Sequence, residues 1–286
     1  MLAGDRVMKV GIFYTPKQAA EHKMALDAMY QGARKFNDSF IQDNYEYNAC
    51  DVAVTWSIFK RHIPKTIFRK RIHNKQKELG KKSIILEKGY IARNIYYSAG
   101  YNSQNGWADF KNKNMPGDRW SRLSTPIKDY RSNGEHILLC GQVPWDTAVQ
   151  HINYKKWCEE VVSEIQKYSD RPIIFRPHPL AKKAIPEING TILTTADTIK
   201  EDFKNCWATV AFNSNSSVES VLEGIPSFVC DEGSMAWDVS NKDFSLLENP
   251  GVFQRKQWAY NLAYSQWTLG EMMNGETWGH LNEITG

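Results

Sequence analysis

The sequence predicts an α/β protein made of two Rossmann-like domains facing a cleft, with a C-terminal helix packing back on the first. Three observations carry this. Apolar strand-like runs alternate with amphipathic stretches from end to end, the pattern that buries parallel strands beneath helices. The alternation falls into two half-chains separated by a stretch without periodicity. With 286 residues, 42% hydrophobic and 24% charged, the chain can bury a substantial core and is too apolar for disorder.

The elements follow in order. MKVGIFY (8–14) reads as the first strand, and residues 18–36 have helical spacing with Ala19, Met24, Ala28 and Met29 inside. DVAVTW (51–56) is a second strand, 65–79 a basic helix and SIILE (83–87) a third strand. Residues 88–133, rich in Tyr, Asn, Gly and Ser, read as long functional loops, with a linker at 126–134. HILLCG (136–141) restarts the pattern. A helix over 147–168, strands at PIIF (172–175) and TILTT (191–195), and a helix at 197–204 come next. WATVAF (207–212) is a buried strand, SSVESVLEG (216–224) a helix closed by Gly224, and PSFVC (226–230) a last strand. Residues 254–273 look helical. The domains are therefore expected at 1–130 and 135–253, with a helical tail over 254–286.

Several chemistries are excluded cheaply. Cys50, Cys140, Cys158, Cys206 and Cys230 are widely spaced and contain no C-x-x-C pair, so they read as buried thiols rather than a disulfide framework or zinc site. G-x-G-x-x-G is absent, and Gly80-Lys81-Lys82-Ser83 lacks the upstream glycine of a P-loop, position 75 being Lys. With no D-x-D, H-x-H or H-x-x-x-H, a metal-independent mechanism without a cofactor is expected. No apolar run reaches the length of a membrane span or signal peptide, so a cytoplasmic location is expected. Charge is uneven. Residues 60–82 hold ten Lys/Arg against the single acid Glu78, a local charge of +9 in a chain of net +4, leaving −5 elsewhere. That segment is either a footprint for a polyanion or a solvated helix face.

Three loops in the second half lie beyond the carboxyl ends of predicted strands, where a Rossmann-like sheet exposes its ligand edge. In ILLCGQVPWDTA (137–148) Gly141 permits a sharp turn, and Gln142 and Asp146 then face a ligand or cap the next helix. In IIFRPHPL (173–180) two prolines fix the direction of His178, and Arg176 adds a permanent charge with a planar donor fork. In VAFNSNSSVESVLEGIPSFV (210–229) a strand runs into Ser214, Asn215, Ser216 and Ser217 before a helix. That gathers hydroxyls and backbone N–H groups into an anion site, or caps the helix. Glu219 either favours the helix dipole or accepts from a ribose diol.

In this order, G-Q-x-x-x-D, R-P-H-P, then S-x-E-x-x-x-x-G-I-P and a downstream Gly233 with Ala236-Trp237, the chain resembles a known family over roughly residues 136–240. It is similar to the nucleotide-sugar domain of GT-B glycosyltransferases of the capsule polysaccharide and Kdo transferase type. The resemblance implies that Gln142, His178, Ser216, Ser217 and Glu219 hold a UDP- or CMP-linked donor, and the charge of Arg176 and the hydroxyl of Ser214 add these two residues to the expected donor site. EKGYIAR (87–93) resembles the family's E-D-G-F-[IL]-R segment through Glu87, Gly89, Tyr90 and Arg93, but Lys88 stands where the family has its second acid.

Sugar transfer to a hydroxyl needs a base for the acceptor proton and donors for the departing phosphate. Glu87, at the end of a predicted strand, is the expected base, with Asp109 and Asp118 in reserve. The first domain is expected to carry the acceptor. Its basic segment, with Arg69, Lys70 and Arg71, suits duplex DNA. The following loops offer Arg93 and aromatics such as Tyr90, Tyr97, Tyr101, Phe110, Trp120 and Trp107 for stacking on a flipped base or a sugar ring. In this respect the chain looks like a phage-encoded DNA glycosyltransferase acting on a hydroxymethylated pyrimidine. The rival readings are a soluble capsule or lipopolysaccharide transferase and a non-catalytic nucleotide or nucleic-acid binding module.

Overall fold

The computed structural model describes residues 7–15, 18–58, 64–181, 183–185 and 187–283. The chain divides into two compact units, one comprising the residues up to Arg119 together with those from Asn261 onward, the other Trp120–Tyr260.

The first unit opens with β1 (Lys9–Phe13), α1 (Ala20–Ala33), β2 (Asp38–Gln42), β3 (Val52–Trp56), α2 (Pro64–Glu78), β4 (Lys82–Lys88) and β5 (Tyr96–Tyr101). β2, β1, β3 and β4 lie side by side in parallel, and β5 joins β4 antiparallel. β3, buried along its whole length, has the continuous apolar character of a strand covered on both faces. β2 escapes the sequence pattern because DSFIQ is a short, half-exposed edge strand with polar ends. In α1 the buried face is Ala25, Leu26, Ala28, Met29, Gly32 and Ala33, whereas Ala19 and Met24 are exposed. The expected phase was therefore shifted. The cause is Gly32, where a Cβ would collide with the Met272 carbonyl of a later helix, so the buried face turns toward that backbone.

Residues 88–133 are far more ordered than the loops expected of them. β5 lacks a readable alternation because its middle is Ser98, Ala99 and Gly100, small residues that admit Ala108 and Phe110 to within 3 Å of a Cβ at position 100. Tyr90, Tyr97, Tyr101 and Phe110 are core side chains, each at most 5% exposed. These four members of the expected stacking platform are thus internal packing, whereas Trp107 and Trp120 are half-buried. A short helix, α3 (Asp118–Leu123), crosses into the second unit.

The second unit contains β6 (His136–Cys140), α4 (Tyr154–Ile165), β7 (Ile173–Arg176), β8 (Ile192–Leu193), α5 (Ile199–Asp202), β9 (Cys206–Ala211), α6 (Ser216–Leu222) and β10 (Ser227–Val229). The strands are all parallel, in the order β10-β9-β6-β7-β8, which is the Rossmann order 3-2-1-4-5. α4 starts later than the periodicity suggested because Asn153 caps it, accepting from Lys156 N at 3.2 Å, while 147–152 form turns. Gly224 ends α6 with φ +74°, as the sequence predicts. The expected linker at 126–134 belongs to this unit. Lys128 N donates to Leu222 O and Arg131 N to Gly224 O, both at 2.9 Å, and buried Arg255 donates to Val221 O and Lys128 O. The unit boundary accordingly falls at Arg119/Trp120.

The tail is only partly helical. After α7 (Lys256–Ala263) come β11 (Gln266–Thr268), antiparallel to β5, then α8 (Leu269–Asn274) and α9 (Glu276–Leu281). β11 makes the first sheet six-stranded, and Trp267, Met272, Trp278 and Leu281 join its core. At three residues, β11 is too short for a period to register. Among the described residues no helix is long and apolar enough to cross a membrane.

Candidate functional site

The order of the second sheet fixes where a ligand belongs. Connections leave β6 toward β7 on one side and return to β9 on the other, so a crevice opens beyond the carboxyl ends of β6 and β9. Gly141 follows β6. Its N–H donates to Arg176 O at 2.7 Å, and a Cβ there would lie 2.9 Å from that oxygen and 3.0 Å from His178 N. Glycine is needed for this close approach. Gln142 and Asn213 clasp each other: Gln142 Nε2 donates to Asn213 Oδ1 at 2.8 Å, and Asn213 N to Gln142 Oε1 at 3.0 Å. Asn213 Nδ2 also reaches Asp231 Oδ1 at 2.9 Å. The loops after β6, β7, β9 and β10 are thereby stitched together, with Gln142 as the clasp rather than an open ligand group. Asp146 closes a local turn, accepting from Ala148 N.

Arg176 departs from the expected direct contact. Its Nη1 meets Asp202 Oδ2 at 2.5 Å and Ala196 O at 3.2 Å, and its Nη2 donates to Asp197 O at 2.9 Å. The guanidinium is committed to bracing the sheet edge. His178 is half-buried, and its Nδ1 accepts from Leu180 N at 3.2 Å. That bond selects the neutral tautomer with the proton on Nε2, so the ring donates even when uncharged.

The serine-rich turn is not an ordinary cap, because Asn215, the N-cap of α6, makes no capping hydrogen bond with its side chain. Nor are the first N–H groups open as expected. Ser216 N is taken by Ser214 Oγ at 3.3 Å and Ser217 N by Ser214 O at 3.1 Å. What the turn offers is hydroxyls. Ser217 Oγ is fully buried without a partner among the described residues. Ser216 Oγ is likewise buried without a hydrogen-bond partner among the described residues, and its pull on the Cys140 thiol is outweighed by burial, which pushes that thiol up to about 12. Glu219 is half-buried and accepts from Asn215 Nδ2 at 3.2 Å. Cys140 and Gly141 are consecutive, one under the influence of the Ser216 hydroxyl and the other packed on the backbone of His178, so both loops lie at one sheet edge.

The first unit places its candidates less as expected. Glu87 is half-buried at the carboxyl end of β4, and its charge acts on Arg69. Arg69 is only 5% exposed, donates to Gln18 Oε1 at 2.9 Å, and is held down at about 10 by burial, with Glu87 pulling the other way. It is an internal cation, not part of a solvated basic face. Of the remaining basic segment, Lys70 is half-buried and Arg71 exposed but bonded to Tyr45 O. Residues 60–63 lie outside the described residues. Lys88 pairs with Glu21. Arg93 is exposed and Trp107 half-buried, whereas Tyr97 lies in the core.

Asp109 sits at the wrong edge to act with Glu87. It bridges to Tyr101, which pairs with Ile84 near the amino end of β4. Partial burial works against its charge, but Lys111 at 3.0 Å outweighs this and keeps its pKa below the ordinary carboxylate range. Asp118 accepts from Tyr264 OH at 2.8 Å, a tie to the returning tail.

The sequence reading passed over His22. It lies in the first turn of α1, beyond the carboxyl end of β1, and stacks on Trp56, the last residue of β3, at 4.1 Å and 11°. The signal was present in its position: a histidine one helical turn past the first strand of a βα unit falls on the ligand edge.

No protein-family model matches the chain, and no curated protein matches it in sequence. Solved structures do match its fold. The β-Kdo 2,4 transferase of Thermosulfurimonas dismutans KpsC superposes with a TM-score of 0.61 at 10% identity, over 92% of this chain and 93% of that one. The β-Kdo 2,7 transferase of the same protein superposes with a TM-score of 0.56 at 10% identity, over 94% and 98%. The fold is α/β with two Rossmann-type sheets, of the GT-B-like kind these neighbours have.

Proposed function

We propose that the protein is a glycosyltransferase that moves a sugar from a nucleotide-sugar donor to a hydroxyl acceptor. The observation that carries this is the joining of three loops at the switch point of the second sheet, where His178 and Ser216 both adjoin the Cys140–Gly141 turn. Nucleotide phosphates suit such an edge, because leaving-group charge is stabilised by preorganised donors in a site sheltered from water. The Nε2–H of His178 and the hydroxyls of Ser214 and Ser216 supply those donors, and Glu219 takes the ribose diol. Gln142 and Arg176 hold the loops in place. The donor is UDP- or CMP-linked, and the acceptor supplies a hydroxyl.

A thermal-shift titration with UDP, CMP and AMP tests the donor half, since a ligand binding only the folded state raises its melting temperature. One pyrimidine nucleotide is expected to stabilise the protein. His178→Ala and Ser216→Ala are each expected to weaken its binding about 10- to 150-fold, the worth of a hydrogen bond to a charged group. No stabilisation by any of the three nucleotides contradicts the reading.

A second reading, with a hydroxymethylated pyrimidine in phage duplex DNA as acceptor, is favoured by one observation: Arg71, Lys75 and Lys77 are exposed on α2. It predicts DNA binding that weakens steeply with salt, with log K falling about 0.9 per neutralised phosphate per decade. Arg71→Glu with Lys75→Glu is expected to reduce binding of a hydroxymethylcytosine duplex, measured by fluorescence anisotropy, and to leave nucleotide binding unchanged. Duplex binding that ignores both substitutions removes this reading.

A further inference from the structure

We propose that the first unit holds a buried site for one anionic oxygen group, a carboxylate or a phosphate, with Arg69, Gln18 and Ser57 as its donors. The site lies wholly within that unit and does not depend on the transferase reading. Its origin is the alternation of the sheet. Phe13 and Ala53 pack with Phe68 and Ile72 on the side that α2 covers, whereas Tyr14, Val54, Trp56 and Leu86 face the other core. Period two therefore carries Thr55 to the α2 side as well. Thr15 and Ser57 follow just past the ends of β1 and β3. Here the apolar core stops and buried polar groups take over, with Thr15 2%, Thr55 0%, Ser57 0% and Arg69 5% exposed.

Gln18 joins this layer. Its Oε1 accepts from Thr15 Oγ1 at 2.6 Å and from Arg69 Nη2 at 2.9 Å, which fixes the orientation of the amide and turns its Nε2 away from both. That Nε2, the Arg69 Nε and the hydroxyls of Thr55 and Ser57 are all buried without a hydrogen-bond partner among the described residues. Ser57 is tied to β4 through its backbone, its N–H donating to Leu86 O at 2.9 Å, and holds φ at +57°, a left-handed value uncommon outside glycine. Buried polar atoms are as a rule paired, so four unmet ones in one layer call for a partner. The two nitrogens can only donate, and the partner must therefore bring oxygen lone pairs. Charge chooses among oxygen ligands. Glu87 pulls Arg69 toward its charged form, yet burial wins and holds the guanidinium down at about 10. The cation is undercompensated where it lies, and an anionic oxygen group supplies both the charge and the acceptor. The planar edge of a guanidinium also suits the paired oxygens of a carboxylate or phosphate. A water molecule meets the donors but brings no charge.

The test is isothermal titration of the whole chain with sodium phosphate and, separately, with sodium glucuronate, at an ionic strength held constant with sodium chloride. At least one of the two is expected to bind, and the preference between them tells which group the site takes. Arg69→Met and Ser57→Ala are each expected to weaken that binding about 10- to 150-fold, the worth of a hydrogen bond to a charged group. A buried hydroxyl without a partner costs stability where it lies, so Ser57→Ala is expected to melt at or above the wild-type temperature. Its loss of affinity then cannot be a loss of fold, whatever Arg69→Met does to stability. Phosphate held in the second unit instead is recognised by its disappearance in the double variant His178→Ala, Ser216→Ala, which is expected to keep binding at Arg69. Binding of neither anion, or binding that ignores Ser57→Ala, overturns the site and leaves the transferase reading standing. An anion that binds through Arg69 and Ser57 in a chain that binds no nucleotide keeps the site and removes the transferase reading.

Discussion

Arg176→Ala is expected to destabilise the second unit by about 3–5 kcal/mol, the usual cost of removing one partner of a buried ion pair. Asp202, 7% exposed, would lose its cation and retain the hydrogen bond from Thr194 Oγ1 at 2.5 Å. At this size of unit, the melting temperature is expected to fall on the order of 10 °C. Nucleotide affinity falls with it, because the same strand end positions His178. The double variant Arg176→Met, Asp202→Leu separates brace from ligand contact. As a brace, the pair is replaceable by apolar packing, and both melting temperature and nucleotide binding recover. If stability recovers and affinity does not, Arg176 touches the donor directly. Calorimetry and nucleotide titration on the three proteins read both quantities.

Arg119→Ala is expected to be comparably costly in the first unit. Arg119 meets Glu271 at 2.6 Å, donates to Ala263 O and Gln266 O, and lies 3.9 Å over the face of Trp267. It fastens the returning segment that completes the sheet. A loss of about 3–5 kcal/mol follows from the stranded carboxylate together with the lost cation–π contact. Burial works against the charge on Glu271, but Arg119 and Thr268 outweigh it and hold its pKa below the ordinary value. A depressed acid contributes stability that is fully present above its unfolded pKa and disappears as pH falls through the folded one. Wild type is therefore expected to lose stability below about pH 4.5, the ordinary glutamate range. Arg119→Ala loses much of that acid dependence. An acid limb unchanged in the variant places the sensitivity elsewhere.

The parts of the fold legible in the sequence were those where one physical signal dominates. Val52–Trp56, Ile137–Cys140 and Cys206–Ala211 are apolar runs that only a covered parallel strand accommodates, and Gly224 marks a helix end by its backbone freedom. β2, β5 and β11 were hidden because edge position, small residues and shortness each erase the period. Arg69 was misplaced by counting charge without phase. Phe68, Arg69, Ile72 and Gln76 fall on one helical stripe, and all four are buried, so spacing alone would have moved Arg69 inward. The candidate site was legible as three loops. The clasp between Gln142 and Asn213, 71 positions apart, and the commitment of Arg176 to Asp202 depend on strand order, which no local pattern encodes.

The central claim is that His178 and Ser216 grip the same phosphate, and a double-mutant cycle by isothermal titration measures this most directly. The pyrimidine nucleotide that stabilises the wild type is titrated into wild type, His178→Ala, Ser216→Ala and the double variant. Groups sharing one ligand atom cluster are expected to couple by about 0.5–3 kcal/mol, so the double variant binds more tightly than the product of the single losses. Strictly additive losses, or full affinity in either single variant, contradict the account.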